Sequence, residues 1–343
     1  MLLLWTVTAA WPCGGVFHAK GTLAESPAQE VIFREGDGWS EVDYRVEYEG
    51  DAADFGWVIP IPGAFVSLKE ADAALFDTYR ACTQPAVRYV GEDEEGSGCG
   101  CAGASKNDAG GLSDSDTRDV TIVAEGFTGD YEYTVLEATS TTGLVTWLDE
   151  HGWSTMGADA ALDAYVAKGG FQFVSIALTP TVSETPKQGR ELPPVRIRYE
   201  GSDLRYPAMM ARVAMEISEI RTRIFVEGVE RATVSGWSAE EVGTLHAPDG
   251  YGADDAFDDR LRALGGAQAG FGIVAATTCV DDALVTRFES LTAPSAHTVD
   301  ATFAIDGGTT GLQTIIEVDS ADGIDTGWLF VPLVGLAWKR RRK

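Results

Sequence analysis

The chain has 343 residues, 53 acidic against 26 basic, and a formal charge of −27. Five of the basic residues fill the last five positions, so the rest is more acidic still. Such a body repels phosphate backbones and excludes ordinary nucleic-acid binding, which needs Lys and Arg to displace counter-ions. The length allows one large domain or two ordinary ones, the 45% hydrophobic content supplies a real core, and the acidic excess keeps the surface soluble.

Residues 1–12, MLLLWTVTAAWP, form an apolar run with small residues at Ala9-Ala10. That is the core of an export signal without its basic start, as though the true beginning lay upstream; a buried first strand is the competing reading. Ala10-Trp11-Pro12 before Cys13 does not make a lipobox. Gln29 to Phe33, with a turn at Glu35 to Gly38, predicts a hairpin with the next strand. Val42 to Tyr48 alternates: Val42, Tyr44, Val46 and Tyr48 on one side, Asp43, Arg45, Glu47 and Glu49 on the other. This predicts a central strand with one core face and one wet face. Gly50-Asp51 breaks it, Phe55 to Ile59 restarts an apolar strand, and Pro60-Ile61-Pro62-Gly63 stops that.

From Val66 to Cys82 the spacing of Leu68, Leu75, Tyr79 and Cys82 predicts a helix, with Ser67 and Glu70 as its capping box. Residues 92–119 are Gly, Ser, Asp and Cys with almost nothing apolar, which predicts a mobile acidic insertion. Strands follow at 120–124 and 131–138, and helices at 142–151 and 159–168, the latter ended by Gly169-Gly170. Strands are predicted at 171–178, 195–201, 221–227, 271–280 and 299–305. A helix is predicted at 254–264, a loop at 244–251 and a turn at 306–310. Tyr-Glu-Gly ends both the 42–50 and 195–201 strands, which leaves open a duplicated module or chance recurrence. The fold class read from this pattern is α+β, mainly antiparallel sheet with a few short helices, with two similar β-rich modules as one version of it. The domain plan is an export signal at 1–12, a body at 13–310 and a tail at 311–343.

The cysteines are Cys13, Cys82, Cys99, Cys101 and Cys279. An odd count predicts at least one free thiol, and an oxidising compartment allows a long-range bridge between two of Cys13, Cys82 and Cys279. A core cysteine is the alternative for Cys82. Cys99-Gly100-Cys101 reads as a free pair, a strained bridge or a soft-metal clip. Asp114, Asp116 and Asp119 resemble an ion loop without the EF-hand glycine and closing glutamate. The weak metal candidates are therefore Cys99, Cys101, Asp114 and Asp116. The four histidines are His18, His151, His246 and His297. Only Cys13 and His18 lie close in sequence as a thiol–imidazole pair. Trp57, Trp147, Trp153 and Trp237 read as core rather than as a ligand cage. No H-E-x-x-H, G-x-S-x-G or P-loop is present, no catalytic residue is assigned, and no motif calls for a cofactor.

Cys13-Gly14-Gly15, Tyr48-x-Gly50 and Phe55-x-Trp57-Val58-Ile59-Pro60-Ile61-Pro62 together resemble the bacterial domain of unknown function 2330. Trp147-Leu148 before Gly152, Phe171 to Val174, and Thr286-Arg287-Phe288 leading to Asp300-x-x-Phe303 extend the resemblance more loosely. The resemblance implies an exported protein without an assigned activity and carries over no catalytic residue. Family members often have a second cysteine shortly after Cys-Gly-Gly; here that region holds His18.

The chain ends DTGWLFVPLVGLAWKRRRK. Trp328 to Trp338 is apolar with a tryptophan at each end, and five basic residues follow. Eleven helical residues span about 16 Å, short of the roughly 30 Å of bilayer hydrocarbon. The layout resembles bacterial sorting tails, with the basic end cytoplasmic and the body outside; a buried final strand is the competing reading. The expected function is an exported, envelope-associated binding or structural protein, held at the membrane through residues 324–343 and open to a tail-processing protease. The alternative is an extracytoplasmic, cation-dependent hydrolase with its site at the Pro60 to Gly63 exit. No substrate or small-molecule ligand can be named from the residues.

Overall fold

The structure is a computed structural model. It describes residues 15–19, 28–50, 55–90, 116–117, 119–155, 157–179, 187–211, 219–248, 250–266, 268–280 and 282–319. The strands run β1 Gly15–Ala19, β2 Ala28–Gly36, β3 Trp39–Gly50, β4 Phe55–Ile61, β5 Phe65–Glu70, β6 Ala86–Val90, β7 Asp116–Thr117, β8 Val120–Thr128, β9 Tyr131–Ala138, β10 Trp153–Ser154, β11 Gln172–Leu178 and β12 Lys187–Glu191. They continue as β13 Val195–Glu200, β14 Leu204–Tyr206, β15 Ile220–Gly228, β16 Ala232–Ser235, β17 Ser238–Glu241, β18 Thr244–Ala247, β19 Gly270–Thr278, β20 Leu284–Thr292, β21 Ala301–Ile305, β22 Leu312–Gln313 and β23 Ile315–Asp319. The helices are α1 Ala73–Cys82, α2 Thr141–Glu150, α3 Asp159–Lys168, α4 Ala208–Ala211 and α5 Ala253–Gly265.

Two large sheets lie face to face. One has the order β10-β1-β4-β11-β9-β8-β7, the other β17-β19-β20-β15-β2-β3-β13-β5, with β12 on β3 and β22 on β19. Val31, Phe33, Val42, Tyr44 and Val46 from the second sheet share a core with Trp57, Ile59, Val135 and Ile176 from the first. Tyr44 and Trp57 meet edge to face, ring centres 5.3 Å apart. Pairing is mostly antiparallel, but β15 runs parallel to β2 and β17 to β19. The α+β class with a few short helices fits; the large sheet is mixed.

The alternation of β3 places Val42, Tyr44 and Val46 in the core, as its period requires. Where its side chains are described, the opposite face is not wet: Glu41, Asp43 and Arg45 are buried. They belong to a layer of charge that crosses the sheet. Arg45 on β3 stands opposite Glu30 on β2, Glu30 opposite Arg223 on β15, and Arg223 opposite Glu289 on β20. This row alternates in sign across four strands. A second row runs Arg198, Glu41, Arg34 across β13, β3 and β2, and Asp43 accepts from Arg196 Nε at 2.7 Å and from Arg34 Nη2 at 2.6 Å. The lid over this layer is α1. Its Asp77 accepts from Arg45 at 3.0 Å, its Arg80 donates to Glu30, and its Phe76 and Tyr79 pack on Ile32, Phe225 and Val285. Cys82 at the end of α1 is bridged to Cys279 beyond β19, with Cα atoms 5.9 Å apart. The long-range bridge thus joins two of its three candidates, and Cys82 is not a free core thiol.

Several predicted boundaries move. The helix predicted over 66–82 is a strand, β5, followed by a shorter helix; β5 pairs along β13 and buries Leu68. The cap is Asp72, which accepts from Ala74 N–H at 2.9 Å, rather than Ser67. The predicted stop at Pro60 falls inside β4, beyond Val58, where the described register of β1 ends. The predicted loop at 244–251 contains β18, paired parallel to β23. Helix α3 runs from Asp159 to Lys168 with Gly169 beyond its end at φ 70°, as predicted. The two Tyr-Glu-Gly strands, β3 and β13, are antiparallel neighbours in one sheet. β2, which precedes β3, lies beside it, and β12, which precedes β13, also pairs with β3; the aromatic strand β11 lies in the other large sheet. Residues 92–115 and 118 of the expected insertion lie outside the described residues; residues 116–117 of it form β7.

Candidate functional site

The Pro60 to Gly63 exit opens on a pocket of about 220 Å³, lined by Gly63, Ala64, Glu137, Tyr165, Gly169, Phe171 and Gln172 among others. Its geometry follows from three tight local features. A Cβ on Gly63 would meet the Glu200 carbonyl oxygen at 2.0 Å, so the exit can press against β13 only as glycine. The Phe65 N–H donates to Gln172 Oε1 at 2.8 Å, which ties the exit to β11. The Tyr165 hydroxyl donates to Asp300 Oδ1 at 2.6 Å, and the Met209 N–H joins it at 3.2 Å. Burial raises the Asp300 carboxyl pKa above the usual range, against the opposing pull of Tyr165, Met209 and Arg205. The Phe171 ring carries the Lys168 ammonium at 5.4 Å and the Arg205 guanidinium at 5.9 Å. The lining offers backbone, two aromatic rings, an amide and one exposed carboxylate, Glu137. The cavity is smaller and more polar than ordinary small-molecule sites.

The other candidates are scattered. Cys13, Cys99, Cys101 and Asp114 lie outside the described residues, as does Gly14. Asp116 sits in β7 opposite Thr121, and His18 in β1 opposite Phe55 and Ser154. His151 stacks on Trp147, ring centres 3.7 Å apart, and His246 lies 3.4 Å from Asp319. Trp57, Trp147 and Trp237 are buried and Trp153 half-buried. Among the described residues no three His, Cys, Asp or Glu side chains are grouped to hold a metal ion. Two segments of the family motif meet: Gly15 opens β1 opposite Val58, which places the end of Cys-Gly-Gly beside the strand Phe55–Ile61. Tyr48 and Gly50 close β3, and Pro62 lies in the turn beyond β4.

Two buried charged or titratable centres are not predicted from the sequence. Glu30 accepts from Arg45, Arg80 and Arg223. Burial would raise its pKa, but Arg223, Arg80 and Arg45 outweigh that and bring it down to about 2. His297 is buried beside Trp237, with Nε2 3.0 Å from Thr292 Oγ1. Burial alone lowers its pKa to about 4. Both shifts act in the same direction. The unfolded chain binds a proton at His297 below about 6.5 that the folded chain refuses until about 4, so stability falls across that window as pH drops. Glu30 adds a second loss from 4.5 toward 2. Equilibrium urea unfolding between pH 7 and pH 3 is expected to show this decline, and His297→Phe should flatten it above pH 4.5. A His297→Phe profile parallel to that of the native chain would exclude the histidine as its source.

Two layers of sheet with a charged outer face under α1 define an α+β sandwich. The chain belongs to the family described as an uncharacterized protein conserved in bacteria, DUF2330, whose model matches residues 7–304. No curated protein matches. Among solved structures the chain is similar to the crystal structure of baculovirus P35, at a TM-score of 0.38 and 8% identity over 82% of this chain and 98% of that one.

Proposed function

We infer that this protein works outside the cytoplasm, at the cell envelope, in a binding or structural role. The Cys82–Cys279 bridge carries the reading, because disulfides of this kind belong to oxidising compartments. The apolar run at 1–12, the acidic body and the tail with its basic end support the same placement. In this reading residues 324–343 hold the body at the membrane until a processing protease removes them. No helix among the described residues is long and apolar enough to cross a membrane, and the tail lies beyond them.

The test joins compartment and redox state. Cells producing the full chain are quenched in acid, alkylated without reductant and fractionated, beside cells producing a chain without residues 324–343. The expected result is full chain in the membrane fraction with Cys82 and Cys279 protected from alkylation, and truncated chain in the soluble extracytoplasmic fraction. Alkylation of both cysteines in a cytoplasmic fraction would overturn the placement. Identical partitioning of the two chains would overturn the anchor.

A further inference from the structure

The small sheet β18-β23-β6 is parallel throughout, so its strands end together. Asp319, the last residue of β23, is the register partner of Val90, the last of β6. The chain beyond each strand therefore leaves from neighbouring points, about 4.8 Å apart by the spacing of paired strands. These are the starts of segments 91–115 and 320–343. Ala247, which ends β18, is the partner of Val318 at the same end, and α5 begins six residues later.

One face of this sheet is apolar. Leu245, Ala247, Ile316 and Val318 pack against Phe257 and Leu261 of α5. Val87 and Tyr89 continue that face onto β6, as register partners of Ile316 and Val318. The helix packs on β18 and β23, and on β6 the face is left uncovered: Val87 is 37% exposed and Tyr89 59%. An apolar shelf thus lies within three residues of the point where the C-terminal segment departs.

Composition and reach select the occupant. Segment 91–115 has Leu112 as its one large aliphatic side chain, whereas Trp328 to Trp338 is apolar throughout. Residues 320–327 separate Asp319 from Trp328 and span up to about 28 Å extended, longer than the roughly 17 Å of a five-residue strand. Charge agrees: Asp254 and Asp255 stand exposed in the first turn of α5, and Lys339 to Lys343 follow Trp338 directly. We propose that, in the chain away from a membrane, the tail segment Trp328 to Trp338 lies on the β6 shelf against Val87 and Tyr89, its basic end toward the first turn of α5. The shelf then competes with the bilayer for the tail. This goes beyond the anchoring reading and does not require it.

The test uses the full chain purified without detergent and carrying Tyr89→p-benzoylphenylalanine. Tyr89 is exposed, so the substitution spares the fold. Irradiation, digestion and mass spectrometry are expected to show an intramolecular cross-link into peptide 328–338. The same probe as Phe127→p-benzoylphenylalanine, at an exposed site on β8, should give none. Cross-links from position 89 to other peptides of the body, only between chains, or absent altogether would each overturn the shelf. Flotation of the native chain with phosphatidylethanolamine/phosphatidylglycerol vesicles reads the anchor separately. A cross-link without flotation keeps the shelf and removes the anchor; flotation without a cross-link does the reverse.

Discussion

Glu289→Ala is expected to lower the unfolding free energy by about 3–5 kcal/mol, the usual cost of stripping a buried charge of its partner. Glu289 is fully buried on β20. Its Oε1 accepts from Arg221 Nη1 at 2.7 Å and Arg223 Nη2 at 3.1 Å, and its Oε2 from Arg223 Nε at 3.1 Å and Arg287 Nε at 3.0 Å. Burial works against the carboxylate, yet Arg223, Arg287 and Arg221 hold its pKa well below the usual range. Without it, three guanidinium groups lose a shared counter-ion; Arg221 keeps Asp258 and Arg223 keeps Glu30, while the buried Arg287 is left without a carboxylate partner among the described residues. Arg287 suffers most, since burial already pulls it down to about 10. Glu289→Gln keeps the shape and loses the charge, and is expected to cost nearly as much. The contrast is Arg260→Ala, whose partner Glu240 is exposed; that change should cost about 1 kcal/mol or less. Equal urea midpoints for the Glu289 and Arg260 variants would mean that the charge layer is hydrated.

Trp57→Ala is the second large effect, again about 3–5 kcal/mol. The indole is buried between the sheets, edge to face with Tyr44 and with Phe55, the latter at 6.4 Å between ring centres. Removing it leaves a cavity that two sheets cannot close without sliding. Its Nε1 is buried without a hydrogen-bond partner, a group that costs free energy to bury. Trp57→Phe is therefore expected to be much milder, because the lost area is offset by loss of that unpaired N–H. A Phe variant as unstable as the Ala variant would show that the indole is held by something other than packing.

Much of the fold was legible because apolar period follows local geometry. Val42, Tyr44 and Val46 declared their face, and α3 was bounded by its own residues and Gly169. Reading failed where distant partners decide. Nothing in Asp43 and Arg45 says that α1 will cover them, so a buried ionic face looked like a wet one. The helical spacing of Leu68 with Leu75 and Tyr79 spanned two elements, because pairing with β13 outweighs local propensity at 65–70. β18 is four residues long and finds its partner at 315–318, far along the chain. Of the Pro60 to Gly63 exit only Gly63 lines the pocket. Tyr165, Phe171 and Asp300 reach it or brace it from three separate segments, and no spacing rule links them. Cys82 and Cys279 could be shortlisted by compartment and count, but only the fold chose them.

The alternating rows of charge answer a question that apolar alternation leaves open. Sliding β3 by two residues along β2 keeps every Val, Tyr and Phe on its proper side, so burial hardly distinguishes that arrangement from the native one. Charge does distinguish it. A slip one way sets Glu30 against Asp43, and a slip the other way sets it against Glu47, in place of Arg45. Either error buries acid against acid and leaves a guanidinium stranded. The ionic layer therefore works like the wards of a key, rejecting alignments that the greasy side of the strand would accept.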